Sequence, residues 1–232
     1  MLFLFKRRTA TFTIRYSMVA PTLPESARQI NLAIMQTLLC ANDISDLIAK
    51  LAQQILCDPE IAAMPPERLA VVGIRRRGEI IAQRLSAIIA AKRGHPIALG
   101  ALDITMYRDD VVGQRPMAIP IGTQMNFRLD ERVVILVDDV LFTGRSVRAA
   151  LDALVDFGRP RLIRLAVLIE RTGREYPVAA DFVGRRVDIP PRDAVRVMLR
   201  PTDADDAVYI DKPAAAPVPP QANSLSSPEV AR

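Results

Sequence analysis

Arg132-Val-Val-Ile-Leu-Val137-Asp138-Asp139-Val-Leu-Phe-Thr143-Gly144-Arg145-Ser146 decides how this chain folds. The β-branched apolar run up to Val137 predicts a buried strand. The helical spacing that follows predicts a helix from about Ser146 to Phe157, closed by Gly158 and Pro160. Between them, adjacent carboxylates lead into a turn offering backbone N–H groups, the hydroxyls of Thr143 and Ser146, and the positive end of the helix dipole. Such a turn suits a phosphate monoester. Carboxylates facing that phosphate would repel it, so they make sense against a neighbouring hydroxylated, metal-bearing part of the same ligand. A sugar phosphate has that shape. An ordinary strand-turn-helix with a solvated acid pair is the competing explanation.

Outward from this stretch, strand and helix alternate. Ile44, Leu47, Ile48, Leu51 and Ile55 predict a helix capped by Asn42 or Asp43 and ending near Asp58-Pro59. Strands are expected at 69–74, 97–104, 162–169, 182–187 and 195–199, with a helix from Glu79 to about Ala91. That order argues for an α/β, largely parallel sheet, whose ligands bind at the carboxyl ends of its strands. Arg75-Arg76-Arg77-Gly78 occupies a second such end and forms an anion focus. The polar stretch 107–126 has the length of an active-site lid.

Composition removes several alternatives. His95 is the single histidine and Cys40 and Cys57 the two cysteines, too few for a zinc cluster; His95 also sits in a polar turn, a poor place for a triad base. Neither G-x-x-x-x-G-K-[ST] nor G-x-G-x-x-G occurs. No apolar run approaches the length that spans a bilayer, so a cytoplasmic protein with reduced thiols, away from membranes, is expected. The 232 residues carry a formal charge of +5, which invites a nucleic-acid partner. Lys6, Arg7, Arg8 and Arg15 supply four of those charges in residues 1–24, and residues 25–210 hold 25 bases against 24 acids. Residues 1–24 are read as a disordered basic extension, translated upstream of Met18, in preference to a targeting presequence. Residues 211–232, rich in Pro, Ala and Ser, are read as a disordered tail.

The stretch from Val134 through Asp138, Asp139, Thr143, Gly144, Arg145 and Ser146 to Ala150 resembles the phosphoribosyl diphosphate (PRPP) signature of type I phosphoribosyltransferases. Together with Asp152-Ala-Leu-Val-Asp-Phe-Gly-Arg-Pro160, Gly73-Ile-Arg-Arg-Arg-Gly78, Leu102-Asp-Ile-Thr-Met-Tyr-Arg-Asp-Asp110 and Arg174-Glu-Tyr-Pro177, it resembles one branch, the PyrR family of pyrimidine operon regulators with uracil phosphoribosyltransferase activity. The resemblance runs from about 43 to 210 and implies a type I phosphoribosyltransferase fold: a mostly parallel twisted sheet flanked by helices, a small hood and a mobile active-site loop. It implies a 25–210 catalytic domain making UMP and diphosphate from uracil and PRPP.

Carried over by residue, the resemblance places Asp138 and Asp139 on the ribose hydroxyls, holding Mg²⁺ directly or through water. Val140, Leu141, Phe142, Thr143, Gly144, Arg145 and Ser146 are implied to bind PRPP, the last four around its 5′-phosphate. Arg76 and Arg77 lie in the diphosphate loop. Arg77 and Arg108 support the leaving group, Asp109 and Asp110 are read as exposed, and Arg171 and Val195 lie at the base and hood. A homo-oligomer is implied too. The hood reads Glu170-Arg171-Thr172-Gly173-Arg174 where members usually show Asp-Arg-Gly-His-Arg, a departure that bears on base affinity and RNA. The first helix carries Ser45, Asp46 and Gln53 outside and only Lys50 as a base, so RNA is disfavoured as a partner. The alternative function is a UMP- or PRPP-sensing, RNA-binding attenuation regulator with weak or no catalysis.

Overall fold

The computed structural model describes residues 35–108 and 122–212. The expectations for 1–24, for the tail beyond Lys212 and for most of the lid, with Asp109 and Asp110, fall outside these residues.

Leu69–Ile74 (β2), Ala98–Leu102 (β3), Val133–Leu141 (β4), Leu162–Arg171 (β5) and Phe182–Val187 (β6) form a parallel sheet of order β3-β2-β4-β5-β6. β2 is buried along its whole length, as its uninterrupted apolar run requires. Ala41–Cys57 (α1) and Arg77–Arg93 (α3) cover one face, packing on Val71, Val133, Ile135 and Val137. Arg145–Leu154 (α4) covers the other, over Val72, Val134 and Leu136. Alternate residues of β4 therefore bind the two halves of the core together.

A second sheet, antiparallel and of order β1-β8-β7, is the hood: Met35–Leu39 (β1), Ala194–Met198 (β7) and Ala207–Asp211 (β8). Of these strands the sequence pattern predicted only β7. β1 and β8 are five residues each, and β1 pairs only with β8, far along the chain. Because β8 runs to Asp211, the folded domain reaches one residue past the expected boundary.

Several element ends differ from expectation for local reasons. α1 begins after Cys40, not at Asn42 or Asp43, because the Asp43 carboxylate reaches back to accept the Cys40 N–H at 2.8 Å from within the first turn. Asp58 ends α1 and starts the short helix Pro59–Ala62 (α2), accepting the Glu60 and Ile61 N–H groups. α3 begins two residues earlier than expected, at Arg77, and ends at Gly94 in the left-handed conformation, φ 65°. β4 continues past Val137 through both aspartates to Leu141.

Two glycines let α3 start where it does. A Cβ on Gly73 would fall 2.5 Å from the Glu79 Cα and the Gly78 oxygen, and one on Gly78 would fall 2.6 Å from the Val137 oxygen and 3.2 Å from the Asp138 Cα. Gly94, in contrast, has open space around its absent Cβ. Gly78→Ala is therefore expected to destabilise the domain by about 2–3 kcal/mol through overpacking. Gly94→Ala should cost about 1 kcal/mol for its left-handed backbone alone. Thermal unfolding of the two variants checks this, and equal melting shifts would contradict it.

Candidate active site at the carboxyl ends of β2 and β4

β2 leads through α3 to β3 on one side of it, and β4 leads through α4 to β5 on the other. The chain thus departs in opposite directions from two neighbouring strands, and the crevice between their carboxyl ends is where an open α/β sheet binds ligands. Arg75–Gly78 forms one wall of that crevice and Asp138–Ser146 the other.

Asp138 is 6 % exposed and Asp139 is half-buried. The strand alternation that sends Val134 and Leu136 toward α4, and Ile135 and Val137 toward α3, breaks at the pair, since beyond it Val140 packs on the α3 side and Leu141 on the α4 side. The two carboxyls bond to each other, and the cation whose charge reaches Asp138 is Arg108, while for Asp139 it is Arg77. Burial pushes the Asp138 carboxyl well above the ordinary carboxylate range, and the charge of Asp139 pushes it further. Asp139 is also raised by burial, against the bond with Asp138 and the charge of Arg77. The Asp139 and Val140 N–H groups donate to Asp138 and Asp139 at 3.0 and 2.9 Å, fixing both side chains.

The turn 142–144 brings the chain into α4 with Gly144 at φ 92°, and no side chain caps the helix beyond a 3.4 Å approach of the Arg145 N–H to Thr143 Oγ1. Its first N–H groups face the crevice as an anion site. Thr143 and Ser146 are half-buried there. Val140 is half-buried too, but Leu141 is in the core, so any ligand contact it makes is through its main chain. The loop after β5 folds over this turn: the Glu175 and Tyr176 N–H groups donate to the Thr143 oxygen at 3.0 and 2.9 Å. Arg145 pairs with Glu175 and lies 5.3 Å from the Tyr176 ring.

On the opposite wall Arg76 is exposed, while Arg77 makes a two-point bond to Asp203 in the hood, at 3.1 and 3.0 Å. Arg75 is largely buried, with Nε and Nη2 lacking partners. Arg108 ends the short helical turn Thr105–Tyr107 and is exposed.

Val195 lies in the hood strand β7, and Arg171 ends β5 beside it. The Arg171 guanidinium lies 4.0 Å over the Phe142 ring and donates to the Asp193 and Pro190 oxygens, so it braces the PRPP-type turn against the hood from within. Val195 packs half-buried against the core and pairs with Ile210. Gly173 also approaches the Phe142 ring closely, and the Phe142 carbonyl accepts from Arg174. A recess of about 310 Å³ opens beside this brace at the ends of β5 and β6, lined by Glu170, Arg171, Arg174, Arg186 and Val187 among others. A larger cavity, about 520 Å³, lies at the amino ends of the strands beside Glu67, Arg68 and Arg161, away from the acids, so volume does not locate the site.

The sequence pattern missed Asp203, whose partner Arg77 is remote, and gave no partners for Glu175 and Arg174. Lys50 is exposed on α1 as expected, and its ammonium also donates to the Gly184 oxygen at 3.0 Å, tying α1 to β6.

With this geometry in hand the relatives are informative. Residues 37–193 match the phosphoribosyl transferase domain family. A protein of Syntrophobacter fumaroxidans called bifunctional protein PyrR is 41% identical over 176 residues, spanning 76% of this chain and 92% of that one. The like-named protein of Desulfosudis oleivorans is 49% identical over 150 residues, 63% of this chain and 82% of that one. The chain belongs to the PyrR family of phosphoribosyl transferases. Its fold is shared more widely. The hypoxanthine phosphoribosyltransferase of Trypanosoma cruzi superposes with a TM-score of 0.58 at 17% identity, covering 77% of this chain and 97% of that one. The Leishmania tarentolae enzyme solved with GMP gives 0.55 at 16%, covering 77% and 98%.

In this PyrR-family protein the acid pair carries a consequence for stability. The folded-state pKa of Asp138 lies above its unfolded value, so between the two the folded chain holds the extra proton and stability falls as pH rises. Asp138→Asn is expected to raise the melting temperature of the ligand-free protein by roughly 2–6 °C at neutral pH, at about 2–4 °C per kcal/mol. The gain should shrink as the pH is lowered toward the ordinary carboxylate range. Differential scanning calorimetry across pH checks this. A less stable variant at pH 7, or a pH-independent difference, would contradict it.

Proposed function

We propose that this chain joins uracil to the phosphoribosyl group of PRPP at the β2/β4 crevice, giving UMP and diphosphate. Phosphoribosyl transfer goes with the family. The observation that supports the site is the acid pair at the end of β4, with Arg75–Gly78 on one side of the crevice and the turn into α4 on the other.

In the reaction the bond from the ribose anomeric carbon to diphosphate breaks, a bond to the uracil nitrogen forms, and that nitrogen loses its proton to solvent. The departing diphosphate leaves positive charge on the ribose, so catalysis calls for placement and for cations at the leaving group, not for a protein nucleophile. Arg76, Arg77 and Arg108 are the cations on that side, and Thr143, Gly144, Arg145 and Ser146 would anchor the 5′-phosphate. Asp138 and Asp139 would accept from the ribose hydroxyls. The recess beside Arg171 and Val187 would hold the base.

The acid pair also fits Mg²⁺. Two mutually repelling buried carboxylates favour a cation, and no group of three or more His, Cys, Asp or Glu that could hold a metal occurs among the described residues. A metal that keeps most of its shell as water and substrate oxygens suits such a site better than one needing a protein cage. When bound it would neutralise diphosphate charge. We place the reaction in the cytoplasm; no helix among the described residues is long and apolar enough to cross a membrane. Residues 25–210 serve as the catalytic domain, with 1–24 and the tail outside it.

A second function is favoured by the name of the relatives, bifunctional: an RNA-binding regulator that senses UMP or PRPP in the same pocket. Against it stand the engagement of Lys50 with Gly184 and the acids on the exposed side of α1. Assay of uracil, hypoxanthine, adenine and orotate with PRPP and Mg²⁺ should show turnover with uracil foremost. Asp139→Asn and Arg77→Ala should each lose about 100-fold or more in turnover while staying folded, the size of effect that loss of one charged stabiliser produces. Kinetics like those of the parent protein in either variant would contradict the assignment. Filter binding of a pyrimidine leader RNA over a salt series should show weak or absent binding, and tight, steeply salt-dependent binding enhanced by UMP would establish the regulator.

A further inference from the structure

Two arginines of α3 bind the last turn of the hood in the same way and in different surroundings. Arg77 donates through Nε and Nη2 to Asp203, and Arg84, about two turns further along the helix, donates through Nη1 and Nη2 to Asp206. Both carboxylates are locked by backbone: Asp203 accepts the Leu199 N–H at 2.8 Å, and Asp206 accepts the Arg200 N–H at 2.8 Å. The Asp203 N–H also donates to the Leu199 oxygen at 2.9 Å, so Asp203 has little freedom to follow its partner. Arg84 spends a further bond on the Arg200 oxygen and faces only the hood. Arg77 is the first residue of α3, next to the glycine that rests on Val137 and Asp138, and its charge reaches Asp139.

Arg77 therefore stands between two carboxylates. Asp139 is the one short of cationic compensation in its buried position, and an unrestrained guanidinium would settle on it. That collapse would take the cation from the diphosphate side of the crevice and mask the acid meant for the ribose. We propose that Asp203 is a positioning residue, holding Arg77 on the diphosphate side and away from Asp139, whereas Asp206 is a purely structural twin. The two-point bond uses two of the five guanidinium N–H groups and leaves three to reach a ligand oxygen. Burial pushes the Asp203 carboxyl up, but the bonds from Arg77 and Leu199 outweigh it and hold it below the ordinary range, so it is charged and able to restrain Arg77 at working pH. The proposal rests on the PRPP site proposed above.

The test compares the parent protein with Asp203→Asn and Asp206→Asn in three measurements: melting temperature, PRPP kinetics with uracil, and calorimetric binding of diphosphate with Mg²⁺. Loss of a charge-assisted bond has the scale of a tenfold change in affinity. Asp203→Asn should raise the KM for PRPP and weaken diphosphate binding about tenfold, with kcat changed less than about threefold. Asp206→Asn should lower the melting temperature at least as much and leave both constants within about twofold. Asp203→Glu, which keeps the charge, should recover most of the affinity that Asp203→Asn loses. If the amide variant fails to fold, Asp203→Ser takes its place, and a loss of diphosphate affinity in it beside unchanged constants in Asp206→Asn is the supporting result. Equal diphosphate affinity in the parent and in the charge-removing Asp203 variant overturns the positioning role, as does an equal loss in Asp206→Asn. Absence of turnover with any base, with diphosphate still bound and still weakened by Asp203→Asn, overturns the proposed transfer reaction and leaves the positioning role standing.

Discussion

Two carboxylates on consecutive residues, withdrawn from water at the end of the central strand, cost the ligand-free chain free energy, because burial and mutual repulsion both disfavour their charge. A fold retains such a pair where something bound restores the balance. Around Asp138 and Asp139 the rest of the structure supplies the complement: the charges of Arg77 and Arg108, and a helix amino terminus a few residues away.

The order of strands is what makes this possible. With β2 and β4 adjacent and their crossovers leaving in opposite directions, two loops and two helix amino termini converge on one crevice. The approach is close enough that only glycine fits at Gly73 and Gly78. The hood closes the arrangement from above through Arg77–Asp203 and Arg84–Asp206, and Arg171 closes it from within by joining Phe142 to the backbone of Pro190 and Asp193. The Arg75–Gly78 wall, the turn into α4 and the hood are therefore one mechanical unit.

How much of this could be read from sequence follows from how local each feature is. The β4 run and its paired acids are contiguous, so strand, turn and anion site stand out together; so do Arg75–Gly78, where three arginines interrupt an apolar strand and a helix. β1 leaves no such trace, since it is five residues long and pairs only with β8 at the other end of the domain; β8, equally short, pairs with both β1 and β7. The Arg77–Asp203 bond joins residues 126 apart, and nothing in either neighbourhood marks them as partners. Arg171 reads as a cation at the end of a strand, and only the stacking on Phe142 turns it into a brace. Lys50 reads as a surface base and is one, but its bond to the Gly184 oxygen at 3.0 Å shows only in the folded chain.

The central claim is that the β2/β4 crevice holds one PRPP molecule lengthwise. A crystal structure of the protein with Mg²⁺ and PRPP tests it most directly. The account predicts the 5′-phosphate on the N–H groups of Gly144 to Ser146, the ribose hydroxyls against Asp138 and Asp139, and the diphosphate beside Arg77. A ligand bound with its ends exchanged, or bound elsewhere with both carboxylates still facing each other uncovered, would contradict it.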